Sequence, residues 1–218
     1  KPIYTGSLYE IEDGVFKIIA IDGYRMAIRS ENVDSESKNR FVVPGKTQHE
    51  VLKLLTDDEE NTEIIIGQRH ITFKIKNYRI ISRLIEGTFI EYKSAIPKET
   101  KTEVVINTRT IIDAVERMSL LNNDRIQSPV RCIFSDDEIK LSCTSAVGRA
   151  NDVISVPIIG ESVEIGFNNR YLLDALKNAD TDEIKLILNG SLTAMIVKPV
   201  KGDSYLSIVV PMRLANEN

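Results

Sequence analysis

With 218 residues, 42% of them hydrophobic and 28% charged, and a formal net charge of −4, the chain has the make-up of an ordinary globular protein long enough for two domains. No apolar run approaches the roughly 18 residues a membrane span requires, and the N-terminus lacks the charged, apolar and small-residue succession of a signal peptide, so no membrane partner and a cytoplasmic location are expected. Cys132 and Cys143 then read as small buried hydrophobes rather than a disulfide. The chain opens on Lys1 rather than methionine and reads as a fragment or processed piece.

Strand signals dominate the first half. Residues 4–12 and 15–21 alternate apolar and polar side chains around Asp13-Gly14, a good hairpin turn. Residues 24–29 resume as a strand, 30–39 form a polar tract, and 41–43 are a short apolar strand broken by Pro44-Gly45. Thr47, with Glu50 three residues on, is the expected N-cap of a helix whose apolar face carries Val51, Leu52 and Leu55. Strands at 63–66, 71–76 and 78–84 follow, and 87–97 reads as a connector. In the second half, 103–106 is a strand, and Thr108 is the expected cap of a helix running to about Leu121. Its stripe is Ile111, Ile112, Val115, Met118 and Leu121.

From there the pattern repeats. "LYEIEDGVFKIIA" parallels "RCIFSDDEIKLSC", "FVVPGKTQHEVLKLL" parallels "VEIGFNNRYLLDAL", "TEIIIGQRHITFKI" parallels "DEIKLILNGSLTAMIV", and "YRIISRL" parallels "SYLSIVVPMRL". The offset of about 120 to 126 residues is domain-sized, far beyond a solenoid repeat. An α+β fold follows: two similar domains, residues 1–99 and 100–218, each of antiparallel sheets packed on helices. The first copy lacks its opening strand and helix, about 25 residues if the copies are alike. Each Leu or Ile left uncovered forgoes about 1.5 to 3 kcal/mol of burial, so the N-terminal half is expected to be the less stable one.

Enzyme-like signals are thin. Gly45-Lys46-Thr47 sits between a strand and a helix, as a phosphate-binding loop should, and supports the rival reading of a P-loop-like, nucleotide-dependent enzyme; Arg40 replaces the required first glycine. His49 and His70 have no cysteine or histidine at metal-ligand spacing, so no metal or cofactor is expected. The carboxylates at 57–60 and 136–138 lie in turns without a third group to tune them. Asn189-Gly190-Ser191 fits a glycosylation acceptor but is more simply a hairpin turn.

The segments "IAIDGYRMAIR", "RFVVPGK", "ISRLIEGTF", "EIGFNNRYLLDAL" and "VVPMRL", in this order and spacing, resemble the bacterial DNA sliding clamp, the beta subunit of DNA polymerase III, over nearly the whole chain. The resemblance implies a clamp-type middle domain without its first strand and helix, then a complete third domain. It implies no catalysis. It implies instead a processivity factor: a homodimeric ring that encircles duplex DNA without regard to sequence, slides, and docks the replicative DNA polymerase, clamp loader and repair proteins. Family rings join the first domain of one subunit to the third of the next, so this chain alone is expected to be monomeric.

Carried over residue by residue, the partner-peptide pocket would draw on Tyr4, Ile21, Gly23, Tyr24, Arg25 and Met26, then Asn168 and Tyr171, Leu192 and Ala194 of the penultimate strand, and Ile208, Val210, Pro211, Met212, Arg213 and Leu214. It would receive a short peptide with a glutamine and two apolar side chains. Met26 and Met212 suit one site with several partners, because thioethers repack readily. The chain departs from the family pattern in "DGYR", where histidine usually precedes the arginine, in "VVPMRL", where methionine often precedes the proline, and in Ala215 to Asn218 beyond the usual final leucine. In clamps the helices line the hole, which makes Lys46, Lys53, Arg109, Arg117, Arg125, Arg170 and Lys177 the expected DNA-facing cations. Such phosphate contacts carry no sequence information and weaken with salt.

Overall fold

The computed structural model describes residues 1–57, 61–121 and 128–214. They form two compact units, Lys1–Asp22 with Ile28–Glu91, and Gly23–Ala27 with Tyr92–Asn218.

In the first unit a 3-10 turn, Pro2–Thr5, leads into β1 (Gly6–Glu12), β2 (Val15–Ile21), β3 (Arg25–Asn32) and β4 (Asn39–Pro44). Helix α1 (Gly45–Leu54) and strands β5 (Glu63–Ile66), β6 (His70–Ile75) and β7 (Tyr78–Arg83) follow. The strands lie in the orders β3-β2-β1-β4 and β5-β6-β7. Asp13 and Gly14 both take positive φ, 52° and 71°, as the tight primed turn of a hairpin requires, and Leu8 is thereby set opposite Ile19. Tyr9, Val43, Val51, Ile71, Phe73 and Ile75 close the core.

Three local expectations change here. Tyr4 lies in the 3-10 turn, because Pro2 favours a turn start and the pairing of β1 begins only at Gly6. Helix α1 starts at Gly45 with Pro44 as N-cap, and the Thr47 hydroxyl bonds Ser82 Oγ at 2.6 Å instead of capping. Of its expected apolar face only Val51 is buried, while Leu52 and Leu55 are 66% and 45% exposed.

The second unit contains a 3-10 turn (Tyr92–Ala95), β8 (Thr102–Asn107), α2 (Thr108–Ser119), β9 (Val130–Ser135), β10 (Glu138–Ser145), β11 (Gly148–Ser155) and β12 (Ile158–Gly160). Strand β13 (Val163–Phe167), α3 (Asn169–Lys177), β14 (Glu183–Leu188), β15 (Met195–Pro199) and β16 (Tyr205–Val209) complete it. One sheet runs β11-β10-β9-β13, and the other includes β12-β8-β14-β15-β16. Helix α2 is capped by Asn107, whose Oδ1 accepts from Thr110 N at 3.0 Å. The expected cap, Thr108, is instead the first helical residue and donates its hydroxyl to Thr181 O at 2.6 Å. Helices α2 and α3 pack on each other, and Ile111, Ile112, Val115, Met118, Leu172 and Leu176 are buried in one core with residues of both sheets. Cys132 and Cys143 are buried there as thiols, not joined in a disulfide, and burial pushes the Cys132 thiol up to about 12.

The duplication recurs in detail. Each unit has a strand leading into a helix, and a residue beyond the last strand bonds back to that strand: Ile85 N to Val42 O at 2.9 Å, Met212 N to Gly166 O at 2.8 Å. The difference lies in cover. Helix α3 packs on α2, whereas α1 has no such neighbour among the described residues of its unit, and its Leu52 and Leu55 stay in solvent.

Candidate functional site

Helix α3 organises the site. Asn168 Oδ1 accepts from Arg170 N at 3.0 Å and Tyr171 N at 3.2 Å, so two otherwise orphaned amides of the first turn are satisfied and Tyr171 is fixed there. Three residues on, Asp174 shares its face. Arg25 bridges them: its guanidinium lies 4.5 Å from the Tyr171 ring centroid and pairs with the Asp174 carboxylate. The Tyr24 ring stacks on Tyr171 with centroids 5.7 Å apart and planes at 22°. Tyr24 O accepts from Val210 N at 2.8 Å and ties this cluster to the end of β16. Tyr24 and Val210 remain 59% and 41% exposed, an apolar and aromatic surface with a cation behind it.

Beyond β16 the chain turns along β13. Leu214 lies over Gly166 so closely that a Cβ there would stand 2.5 Å from Leu214 Cδ2. An open groove of about 1050 Å³ beside this contact is lined by residues 162–166, 190–192 and 212–214 and by Arg131. Arg131 and Glu164 form an ion pair within it at 3.0 Å, and Leu192 projects into solvent, 81% exposed.

The second unit thus brings together Tyr24, Arg25 and Tyr171 around α3, and Leu192, Met212, Arg213 and Leu214 around the groove. Gly23, at φ 93°, supplies the left-handed turn before Tyr24. Pro211 and Ala194 are half-buried. Met26 and Ile208 are each only 4% exposed, so they are packed core groups and not reachable side chains; both sit on the inner phase of their strands. Leu192 and Ala194 lie in the turn before β15, not in a strand, because Gly190 at φ 89° ends the extended run. Asn168 spends its side-chain oxygen on the helix cap. Tyr4 and Ile21 belong to the first unit, where Tyr4 rests edge-on against Phe89 at 5.8 Å.

Asp174, Gly166, Arg131 and Glu164 were not singled out by sequence reasoning. A glycine inside the strand "EIGF" is a signal of close backbone approach and could have marked Gly166. Nothing local marks Asp174, whose partner Arg25 is 149 positions away.

Most of the expected DNA-facing cations are already paired. Arg109 meets Asp113 at 2.8 Å, Lys53 meets Glu50 at 2.9 Å, Lys177 meets Glu116 at 2.6 Å, and Arg117 meets Asp152. The hydrogen bond and charge of Lys177 hold the Glu116 carboxyl below its ordinary value, as Lys53 does for Glu50. Lys46 and Arg170 are exposed; Arg125 lies outside the described residues, as do Ala215 to Asn218 and most of the 57–60 carboxylate run. Residues Gly45-Lys46-Thr47 are the first turn of α1, entered directly from β4, so no loop intervenes that could cradle a phosphate. Asp136 and Asp137 turn a hairpin at positive φ, and Asp137 Oδ1 accepts from Ile158 N at 2.9 Å, a structural use of the carboxylate. No helix among the described residues is long and apolar enough to cross a membrane.

Comparison with known proteins fits this geometry. The family model described as DNA polymerase III beta subunit, central domain, matches residues 1–91, and that of the C-terminal domain matches residues 93–213. The Beta sliding clamp of Bacillus subtilis (strain 168) is 30% identical over 218 residues, and that of Halalkalibacterium halodurans 30% over 220; each match covers 98% of this chain and 58% of the relative. The chain therefore spans little more than half the length of these relatives. The crystal structure of the Bacillus subtilis sliding clamp superposes with a TM-score of 0.95 at 30% identity, covering 99% of this chain and 58% of that one. A Pseudomonas aeruginosa sliding clamp bound to griselimycin superposes at 0.91 and 29% identity, covering 96% of this chain and 57% of that one. Matched along residues 1–91 and 93–213, the chain is a member of the DNA polymerase III beta subunit family, the bacterial sliding clamps.

Proposed function

We propose that the chain is part of a processivity factor: a non-catalytic cytoplasmic ring, homodimeric at full length, that encircles duplex DNA and docks the replicative polymerase, clamp loader and repair proteins through a short peptide. The observation that carries the docking half is the exposed cluster of Tyr24 stacked on Tyr171 with Arg25 behind it, continued by Val210 and the groove at Met212 and Leu214. Aromatic rings with an ordered guanidinium give amphipathic contact area that is already rigid before a peptide arrives. Burying two large apolar side chains contributes about 3 to 6 kcal/mol against an association cost of about 4 to 15; with hydrogen bonds added, micromolar, exchangeable binding results.

The DNA half rests on topology more than on affinity. With Arg109, Arg117, Lys53 and Lys177 each held by a carboxylate, net attraction for phosphate is weak, which permits sliding once a closed ring prevents escape. The second unit also leaves β11 as a sheet edge beside exposed Val147 and Leu120, a surface suited to another protomer. The chain alone, without a partner for that edge, is monomeric.

A fluorescent peptide carrying a glutamine and two apolar residues tests the docking function. It binds this chain with micromolar affinity and raises its melting temperature, and Met212→Ala weakens binding at least about tenfold. Binding indifferent to Met212→Ala, or stabilisation by nucleotide and not by peptide, overturns the proposal.

A further inference from the structure

We propose that Asn189 is a site of spontaneous, one-way modification: the peptide nitrogen of Gly190 displaces its side-chain amide, and the carboxylate that results loosens the end of β14 from residues 99–101. Asn189-Gly190 is the only Asn-Gly pair in the chain. The chemistry favours that pair, because glycine has no Cβ to hinder its own nitrogen as it approaches the preceding side chain. Position in the fold favours it too. The ladder of β14 with β8 ends at Leu188 opposite Thr102, and that of β14 with β15 at Ile187 opposite Ile196. Asn189 and Gly190, the latter at φ 89°, therefore lie beyond both ladders, in a turn whose local opening brings the nitrogen to the side chain. Asn151, by contrast, is held inside a ladder, opposite Ser142.

The step balances with water as its one co-reactant. Gly190 N bonds to Asn189 Cγ and gives up its proton, the amide nitrogen takes up a proton and leaves as ammonia, and a cyclic succinimide remains. Water then opens the ring at either carbonyl. Breaking the new bond gives aspartate; breaking the original peptide bond between Asn189 C and Gly190 N gives isoaspartate, with the main chain routed through the side chain.

Asn189 Nδ2 donates to Glu99 Oε2 at 3.3 Å, just past the point where Lys101 N donates to Leu188 O at 3.0 Å. The side-chain bond thus closes the strand end. Either product sets a second carboxylate against Glu99, and like charges that close repel. Asn189 Oδ1 is sealed from solvent, so the new charge is also poorly hydrated. The isoaspartyl carboxylate is a group that no encoded residue supplies, and it makes the aged chain a substrate for the class of carboxyl methyltransferase that recognises this linkage. The step needs nothing of the docking function.

Ageing the chain in mildly alkaline buffer, folded and unfolded in urea, with peptide mapping by mass spectrometry, tests the chemistry. In the folded chain Asn189 gains the mass of amide-to-acid exchange at a rate within about tenfold of the unfolded chain, part of the product accepts a methyl group from an isoaspartyl methyltransferase, and Asn151 stays intact. Asn189→Gln abolishes the gain. Slowing on folding beyond that margin means that the turn protects Asn189, and overturns the proposal. Hydrogen exchange tests the consequence. The Lys101 amide exchanges about threefold to tenfold faster in the aged chain and in Asn189→Asp, and Glu99→Gln added to Asn189→Asp restores the slower rate. Lys101 exchange that is unchanged in Asn189→Asp, or that stays fast when Glu99→Gln is added, overturns loosening by the new carboxylate.

Discussion

Gly166→Ala isolates the contact that holds the C-terminal segment on β13. Gly166 does not occupy the left-handed region, so alanine fits its backbone, and the unfolded chain loses freedom in a way that favours folding by about 0.4 to 1 kcal/mol. Against this, the added methyl stands 2.5 Å from Leu214 Cδ2, 2.9 Å from its Cγ and 3.1 Å from Met212 O. Leu214 must swing away, and the carbonyl must give by a few tenths of an ångström. Such overpacking costs about 1 to 3 kcal/mol, and loss of the Met212 to Gly166 hydrogen bond about 0.5 to 1.5. The expected net is a destabilisation of about 1 to 3 kcal/mol in urea unfolding, with peptide affinity falling as Met212 shifts. Leu214→Ala in the same chain removes the clash, so the double variant recovers most of the loss, a coupling of about 1 kcal/mol or more. Full stability and unchanged affinity in Gly166→Ala would refute the close packing on which this reasoning depends.

Other outcomes follow from the same structure. Asp174→Ala releases Arg25 from its carboxylate and weakens the peptide about threefold to tenfold in titration, with little loss of stability because the pair is solvent-facing. Leu172→Ala, in the buried contact with α2, costs about 2 to 5 kcal/mol in urea unfolding, whereas Leu52→Ala, two-thirds exposed, stays within about 0.5; by the same logic hydrogen exchange finds the first unit opening before the second. Glu116 has a lowered carboxyl value through Lys177, so its ion pair contributes above the ordinary glutamate range and is lost as pH falls through the lower folded value. A carboxyl NMR titration places the midpoint below that of an unpaired glutamate, and Lys177→Met raises it. In the full-length ring, Arg170→Ala reduces the salt slope of DNA binding by about one, while Arg109→Ala, already neutralised by Asp113, changes it less.

Periodicity and turn chemistry carried the elements far. The Asp13-Gly14 turn fixes β2 at Val15–Ile21, and the α2 stripe is buried at Ile111, Ile112, Val115 and Met118. Caps were less legible. Thr108 and Asn107 are both good N-caps, and the choice was decided by Thr181, which takes the threonine hydroxyl from 73 positions away. Within the site, family motifs supplied residue names but not their exposure. Met26 and Ile208 look like contact residues in the motif and are core groups in the fold. Asp174 carries no mark in "RYLLDAL" until Arg25 is brought to it. Long-range contacts of this kind are set by tertiary packing, on which local patterns are silent.

The most direct measurement is NMR mapping of the bound peptide, with methionine and leucine methyl groups and tyrosine rings labelled. Peptide contact at the second unit predicts large shifts of Tyr24, Tyr171, Met212 and Leu214 at saturating peptide, with Leu52 and Leu55 of the first unit unmoved. Saturable binding that leaves Tyr24, Tyr171 and Met212 unshifted would contradict it.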